Sequence, residues 1–343
     1  MTKIGIIGAS GFTGAELLRL CAQHPEFQVS LATGDSQAGN RVADLYPSLA
    51  AAYPDDSFVS YGAELLDDVE AVFLGLPHGK SQEIMGDLID SGVKIVDLGA
   101  DFRLQDPATY KQWYHEAHSR PDLLDQFAYG LPELNRDAIV GSNAVANPGC
   151  YPTAGNLALA PLVQAGLIET DRIVVNAVSG VSGAGRPAKD TTTFCAVDEN
   201  VSAYGLLDHR HTSELEVNLD ATVLFTPHLV PMNRGILATC VASPTADALA
   251  SGISTAMVLA ALGDFYSDEP FVVVSESSPS TKATLGSNCV HVTARYDERT
   301  NSVLAIGALD NLCKGASGAA VQNMNLLLGL PETTGLPIAG VFP

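Results

Sequence analysis

Over the first half of the chain, short β-branched apolar runs alternate with amphipathic stretches. Residues 3–7, 28–33, 71–76 and 94–98 read as strands buried on both faces. Residues 15–22 and 81–91 carry helical spacing, and Gly92 suits the left-handed cap that ends the second helix. Strand and helix in alternation predict a doubly wound α/β domain with a parallel sheet. After residue 150 the pattern changes. Longer strands at 172–178, 221–226, 235–243, 271–275, 290–297 and 302–308 outnumber helices at 153–165, 213–219 and 245–266. That half reads as an α+β domain on a mixed or largely antiparallel sheet. A last helix at 319–328 is expected to pack back on the first domain, and the Pro- and Gly-rich tail 331–343 to lie extended on the surface. A chain of 343 residues suits two domains.

Composition narrows the function classes. Apolar residues make up 46% and charged residues 17%, which fits a well-buried globular chain. The net charge of −21 argues against nucleic acid or an anionic membrane as partner. With only 18 lysines and arginines, an arginine inside a glycine-rich loop stands out as an anion ligand. The six cysteines are scattered without a C-x-x-C pair, which argues against a disulfide framework or a zinc site and favours a reducing cytoplasm. The chain enters a strand directly, without a leader pattern, and no window approaches the ~18 apolar residues of a membrane span.

Two segments carry chemistry. The loop Gly8-Ala9-Ser10-Gly11-Phe12-Thr13-Gly14 joins the first strand to the first helix. Its glycines let backbone N–H groups approach a pyrophosphate, and Ser10 and Thr13 add hydroxyl donors. At the end of the second strand, Asp35 suits a ribose hydroxyl while Ser36 and Arg41 suit a 2′-phosphate, so NAD and NADP both remain open. The second segment is Asn147-Pro148-Gly149-Cys150-Tyr151-Pro152-Thr153, which presents a thiol on a turn before a helix. A helix N-terminus favours the thiolate. His209-Arg210-His211-Thr212-Ser213-Glu214 offers the proton acceptor at another helix start, with Thr212 or Ser213 as cap. His211, nearer the helix, is preferred to His209, and Glu214 is placed to orient an imidazole. His78, in Pro77-His78-Gly79, is a candidate for a nicotinamide pocket. Cys21, Cys195, Cys240 and Cys289 read as inert small hydrophobes. The loop Ser179-Gly180-Val181-Ser182-Gly183-Ala184-Gly185-Arg186 offers an anion cradle, and Arg103 and Arg234 lie in further loops. A nucleophilic thiol beside a hydride carrier points to reduction of an activated acyl group through a thioester.

Together these motifs resemble, in order and over essentially the whole chain, the N-acetyl-γ-glutamyl-phosphate reductase family, a cousin of the aspartate-semialdehyde dehydrogenases. Asp101-Phe102-Arg103-Leu104, Tyr129-Gly130-Leu131-Pro132-Glu133, Phe225-Thr226-Pro227-His228-Leu229 and Asp310-Asn311-Leu312-Cys313-Lys314-Gly315-Ala316 complete the match. The resemblance implies a Rossmann domain from residues 1–148 and 312–343, and a catalytic and oligomerisation domain from 149–311. It implies NADP(H), held by Gly8, Ser10, Gly11, Phe12, Thr13, Gly14, Ser36, Arg41, Pro77, His78, Ser182, Gly183 and Asn311. It also implies a small anionic acyl-phosphate substrate, contacted by Arg103, Asn147, Ser179, Arg186, Glu214 and Arg234. Cys150 is the implied nucleophile, the His209–His211 segment the implied base, and a homodimer or homotetramer the implied assembly. Asp35 and Ser213 depart from the family pattern: an acid stands where a 2′-phosphate would sit, and a serine replaces the usual proline. Rival readings are a reductase of a related acyl phosphate, such as aspartyl or carrier-linked aminoadipyl phosphate, and a non-catalytic NADP-binding regulator.

Overall fold

The computed structural model describes residues 1–342 and divides them into two units, Met1–Pro148 with Ala316–Leu336, and Gly149–Gly315 with the chain from Pro337 onward. In the first unit, β1 (Thr2–Ile7), β2 (Phe27–Ala32), β3 (Ala71–Leu74), β4 (Lys94–Asp97), β5 (Phe127–Tyr129) and β6 (Ala144–Ala146) form one sheet in the order β2-β1-β3-β4-β6-β5. Every pairing in it is parallel. Helices α1 (Phe12–Cys21), α2 (Val42–Leu45), α3 (Lys80–Ser91), α4 (Pro107–Tyr114) and α5 (Pro132–Val140) connect the strands. Gly92 ends α3 in the left-handed conformation, and its N–H donates to Ile89 O. Asp106 caps α4, accepting from the N–H groups of Ala108 and Thr109. Ile7, Val72, Leu74, Met85, Ile95 and Phe127 fill the core of this unit. Each contributes about 1.5–3 kcal/mol on burial.

The second unit starts with α6 (Cys150–Gln164) and continues through β7 (Ile173–Gly180), α7 (Phe194–Val197), β8 (Ser202–Ala203), α8 (His211–Leu219), β9 (Val223–Val230) and β10 (Ile236–Ala242). Then come α9 (Ala246–Ala250), α10 (Thr255–Phe265), β11 (Val272–Val274), β12 (Val290–Asp297) and β13 (Ser302–Leu309). The sheet order is β11-β12-β13-β10-β7-β9-β8. Two of its pairings, β11 with β12 and β7 with β9, are parallel and the rest antiparallel, so the sheet is mixed. Helix α6 lies tightly on it: a Cβ added to Gly307 of β13 would come within 2.5 Å of Ala154 O. One row of the register runs Leu229, Ser179, Ile236, Leu309, Val290. The loops that follow β7, precede β10 and follow β13 therefore emerge along one edge of the sheet.

Several local expectations change. The helix expected from residue 153 begins at Cys150, so the thiol sits in its first turn. The helix expected over 245–266 is two helices. Gly252 turns the chain with φ +76°, and the Ser254 hydroxyl restarts it by accepting from Met257 N–H. Helix α8 starts at His211 with Arg210 as its N-cap residue, so neither Thr212 nor Ser213 caps it. The return segment expected from residue 312 enters the first unit at Ala316. The tail is tied to the second unit by hydrogen bonds, Asn288 N–H to Pro337 O and Val341 N–H to Leu285 O. Helix α11 (Gly318–Leu327) packs in the first unit, where Asn323 Nδ2 donates to Gly130 O and Asn147 Oδ1.

Candidate active site

Cys150 is the first residue of α6 and half-buried. The residue before it has no room for a side chain: a Cβ on Gly149 would lie 2.4 Å from His211 Nε2. The imidazole of α8 thus packs directly on the turn that presents the thiol. On the other side, a Cβ on Gly315 would come within 3.0 Å of Cys150 Cβ. Glu214, one helical turn beyond His211, is fully buried. Its Oε2 accepts the Gly149 N–H at 2.9 Å, and its Oε1 lies 3.8 Å from His211 Nε2.

The two histidines of this segment differ sharply. His209 is ringed by Tyr151, Tyr204, Phe225 and His211 at centroid distances of 4.8–5.9 Å. Its Nδ1 accepts the backbone N–H of His211 at 3.2 Å. Burial, with Arg210 beside it, pushes this imidazole down to about 4. His209 therefore stays neutral at physiological pH and its accessible lone pair is engaged. The cage is itself held together, because Tyr204 Oη donates to Tyr151 Oη and Tyr151 Oη to His228 O. Burial, then the neighbouring Tyr204 hydroxyl, pushes the Tyr151 phenol up, so both tyrosines are neutral donors.

Along the sheet edge, the loops after β7 and before β10 are stitched by backbone bonds from Gly180, Val181 and Ser182 N–H to Gly235, Met232 and Asn233 O. Asn311 bridges both, accepting from Gly235 N–H and donating to Ser182 Oγ. Arg234 is fixed through Nε, 3.0 Å from the buried Asp310 carboxylate. Arg186 is half-buried, and its Nε is enclosed without a hydrogen-bond partner. An enclosed guanidinium N–H with no acceptor is a ready ligand for an anion.

In the first unit, the glycine loop distinguishes its three glycines. A Cβ on Gly8 would lie 2.5 Å from Gly75 O, and one on Gly14 2.4 Å from Ala9 Cα. Both positions are closed by backbone. At Gly11, the N-cap of α1, the nearest atom to such a Cβ is Gly8 O at 3.6 Å. No side chain caps α1 and no acid stands in its first turn. Open space before uncapped N–H groups fits a dinucleotide pyrophosphate.

Comparison with known proteins agrees with this geometry. Residues 3–142 match the semialdehyde dehydrogenase NAD-binding domain, and residues 150–311 the semialdehyde dehydrogenase dimerisation domain. N-acetyl-γ-glutamyl-phosphate reductase from Symbiobacterium thermophilum is 47% identical, with 99% of each chain covered. The protein of that name from Pseudomonas aeruginosa PAO1 is 43% identical over 100% of both chains. The chain belongs to the N-acetyl-γ-glutamyl-phosphate reductase family. Its fold is that of aspartate semialdehyde dehydrogenase. Solved structures from Vibrio cholerae, complexed with ASA, and Candida albicans, with NADP, align at TM-scores of 0.71 and 0.70 with 18% and 16% identity. Each alignment covers 96% of this chain and 98% of the other.

Not every residue expected at the reductase site is free to serve there. Asn147 is buried at the end of β6, with Nδ2 donating to Ala316 O and Oδ1 accepting from Asn323. It ties α11 to the sheet. Ser179 is buried and donates to Gly180 O. Glu214 faces Gly149 and His211. His78 is held at both ring nitrogens, 2.7 Å from Asp101 and 2.8 Å from Glu116, and stacks on Tyr114. Pro77 is exposed beside it. Arg103 donates to Leu98 O. In the segment after β2, Asp35 and Ser36 are exposed and the Arg41 guanidinium donates to Pro54 O. Phe12, Ser10 and Thr13 are half-buried along the loop, Ser10 O accepting from Tyr46 and Thr13 O from Ser317. Gly183 is exposed, opposite Ser179.

Sequence reasoning gave no part to Tyr204 or Asp97, and named Asp101 and Asp310 only inside longer motifs. Burial, reinforced by Asp101, pushes the Asp97 carboxyl up to about 7. For Asp101 burial opposes charge, but His78 and the Gly79 N–H outweigh it and hold the carboxyl below its usual range. Only Asp101 and Asp310 stood next to residues already singled out.

Proposed function

We propose that this chain reduces N-acetyl-γ-glutamyl phosphate to the corresponding semialdehyde, with release of phosphate, through a thioester on Cys150. The observation that carries the reading is the packing of His211 Nε2 against Gly149, the residue before a thiol in the first turn of a helix. His211 is the base, because His209, pushed down to about 4, is the weaker base, is caged and already accepts a hydrogen bond. The imidazole takes the thiol proton, and the sulfur attacks the acyl carbon as the C–O bond to phosphate breaks. A nicotinamide dinucleotide bound at the glycine loop would supply the hydride that reduces the thioester. His211 then protonates the developing oxyanion and receives that proton back as the C–S bond breaks and the aldehyde leaves. Arg186, with its enclosed Nε, and Arg234, braced by Asp310, are the ligands for the substrate's anionic groups.

NADP(H) is the proposed dinucleotide. Ser36 and Arg41 follow β2, where a 2′-phosphate is read. Exposed Phe194, Val201, Leu206 and Leu207 on the second unit support self-association, as a homodimer or homotetramer. A cytoplasmic setting suits a chain whose cysteines form no disulfide among the described residues. Among the described residues no helix is long and apolar enough to cross a membrane.

The test is phosphate-dependent reduction of NADP by N-acetylglutamate semialdehyde, with aspartate semialdehyde and NAD as controls. Cys150→Ala should fold, bind NADP and lose roughly 10⁴-fold or more in kcat, as removal of a covalent nucleophile does. Activity within tenfold of wild type, or preference for aspartate semialdehyde, overturns the reading.

A further inference from the structure

We propose that Glu214 is a positioning residue that clamps the nucleophile's turn to the base's helix and does not touch substrate; this rests on Cys150 and His211 having the roles given above. The carboxylate is fully buried, and a buried charge is costly unless it is held by donors. Its two oxygens face two different chain segments. Oε2 accepts the Gly149 N–H at 2.9 Å across 65 residues of sequence, and Oε1 lies 3.8 Å from His211 Nε2 on its own helix. Gly149 is thus held at its N–H by Glu214 and at its Cα face by the His211 ring. The register between α6 and α8 is set at the point where Cys150 must meet its base.

The arrangement has a chemical consequence. When His211 takes the thiol proton, the imidazolium forms beside a carboxylate that does not have to move. A carboxylate in this place would repel an acyl phosphate, and its oxygens are turned toward the backbone and the imidazole. The same group therefore serves geometry through Oε2 and charge through Oε1.

Glutamine separates the two contributions, because Glu214→Gln keeps an oxygen for the Gly149 N–H and removes the charge. Glu214→Ala removes both. The measurements are kcat, KM and the pH profile of Cys150 alkylation by iodoacetamide on the full chain, in a Cys195→Ser background because Cys195 is exposed. Glu214→Gln should lose about 10–100-fold in kcat with KM within about threefold, and its alkylation inflection should move to higher pH. Glu214→Ala should lose more. If the alanine variant does not fold by circular dichroism, the glutamine variant decides alone. A raised KM with a wild-type alkylation profile would make Glu214 a substrate ligand and overturn the inference, as would wild-type values throughout. Should Cys150→Ala also remain active, the failure lies in the thioester reading; if that variant is dead while both Glu214 variants are normal, only the clamp is lost.

Discussion

The glycine loop of the first unit and the cysteine–histidine site of the second are built on opposite plans. The loop works by what is missing: Gly8 and Gly14 leave room for backbone, and Gly11 leaves room for a ligand. All three lie within one strand–turn–helix segment. The thiol site works by what is present. Glu214 and His211 meet Gly149, the cage of His209 closes on Tyr151, and Gly315 faces Cys150, each from a separate part of the chain. A site made of local backbone needs only the right short sequence, whereas one made of converging side chains needs the whole unit folded around it.

That contrast is most exposed at Gly149, a glycine that belongs to the second plan. In Gly149→Ala the new Cβ meets the His211 ring at 2.4 Å, so the imidazole must move. We expect a loss of about 10²-fold in kcat with little change in melting temperature, since a misplacement near 1 Å has that cost. A wild-type kcat would show that the contact of His211 with this turn is incidental.

Gly14 and Gly11 sharpen the other side. Gly14→Ala drives a Cβ into Ala9 backbone, which cannot yield as a side chain would, and should lower stability by about 1–3 kcal/mol in denaturant melts. Gly11→Ala should leave stability within about 0.5 kcal/mol while weakening dinucleotide binding about tenfold, read by fluorescence titration. Equal effects at the two positions would abolish the distinction between structural and ligand-facing glycines.

The smallest effect concerns Asp97, the buried last residue of β4 in the first unit's sheet. Burial and Asp101 raise its folded-state value to about 7. An unfolded carboxyl titrates near 4, so the charge disfavours the folded state and stability falls as pH rises from ~4 through 7. Asp97→Asn keeps Oδ1 as acceptor for Ser81 and Gly99 while removing the charge. It should raise the melting temperature by about 2–4 °C at pH 8 and leave it unchanged near pH 4. A lower melting temperature at pH 8 would mean that the ionised carboxylate is needed there.

Local pattern was enough for the central strands, for Gly92, for the glycine loop, and for Cys150 and the histidine pair as candidates. It failed at the break between α9 and α10, where apolar spacing continues across Gly252 and only the left-handed turn reveals two helices. Nor does it show the partners of Asn147 and Glu214, which lie 176 and 65 residues away, or that the Ser179 hydroxyl turns back to Gly180 O. Nothing near Tyr204 in the chain marks it as part of a cage, since its partner Tyr151 is 53 residues distant.

The sequence by itself determined the chemistry available to this protein: a thiol at a helix start, imidazoles at another, and a loop stripped of side chains for an anion. These are properties of short segments, where spacing and the absence of a Cβ act directly on the backbone. Only the tertiary structure separates the two imidazoles, because desolvation and ring packing hold His209 neutral while Gly149 leaves room for the His211 ring. Burial and close approach arise from elements remote in sequence, and they set both the charge state and the reach of a side chain.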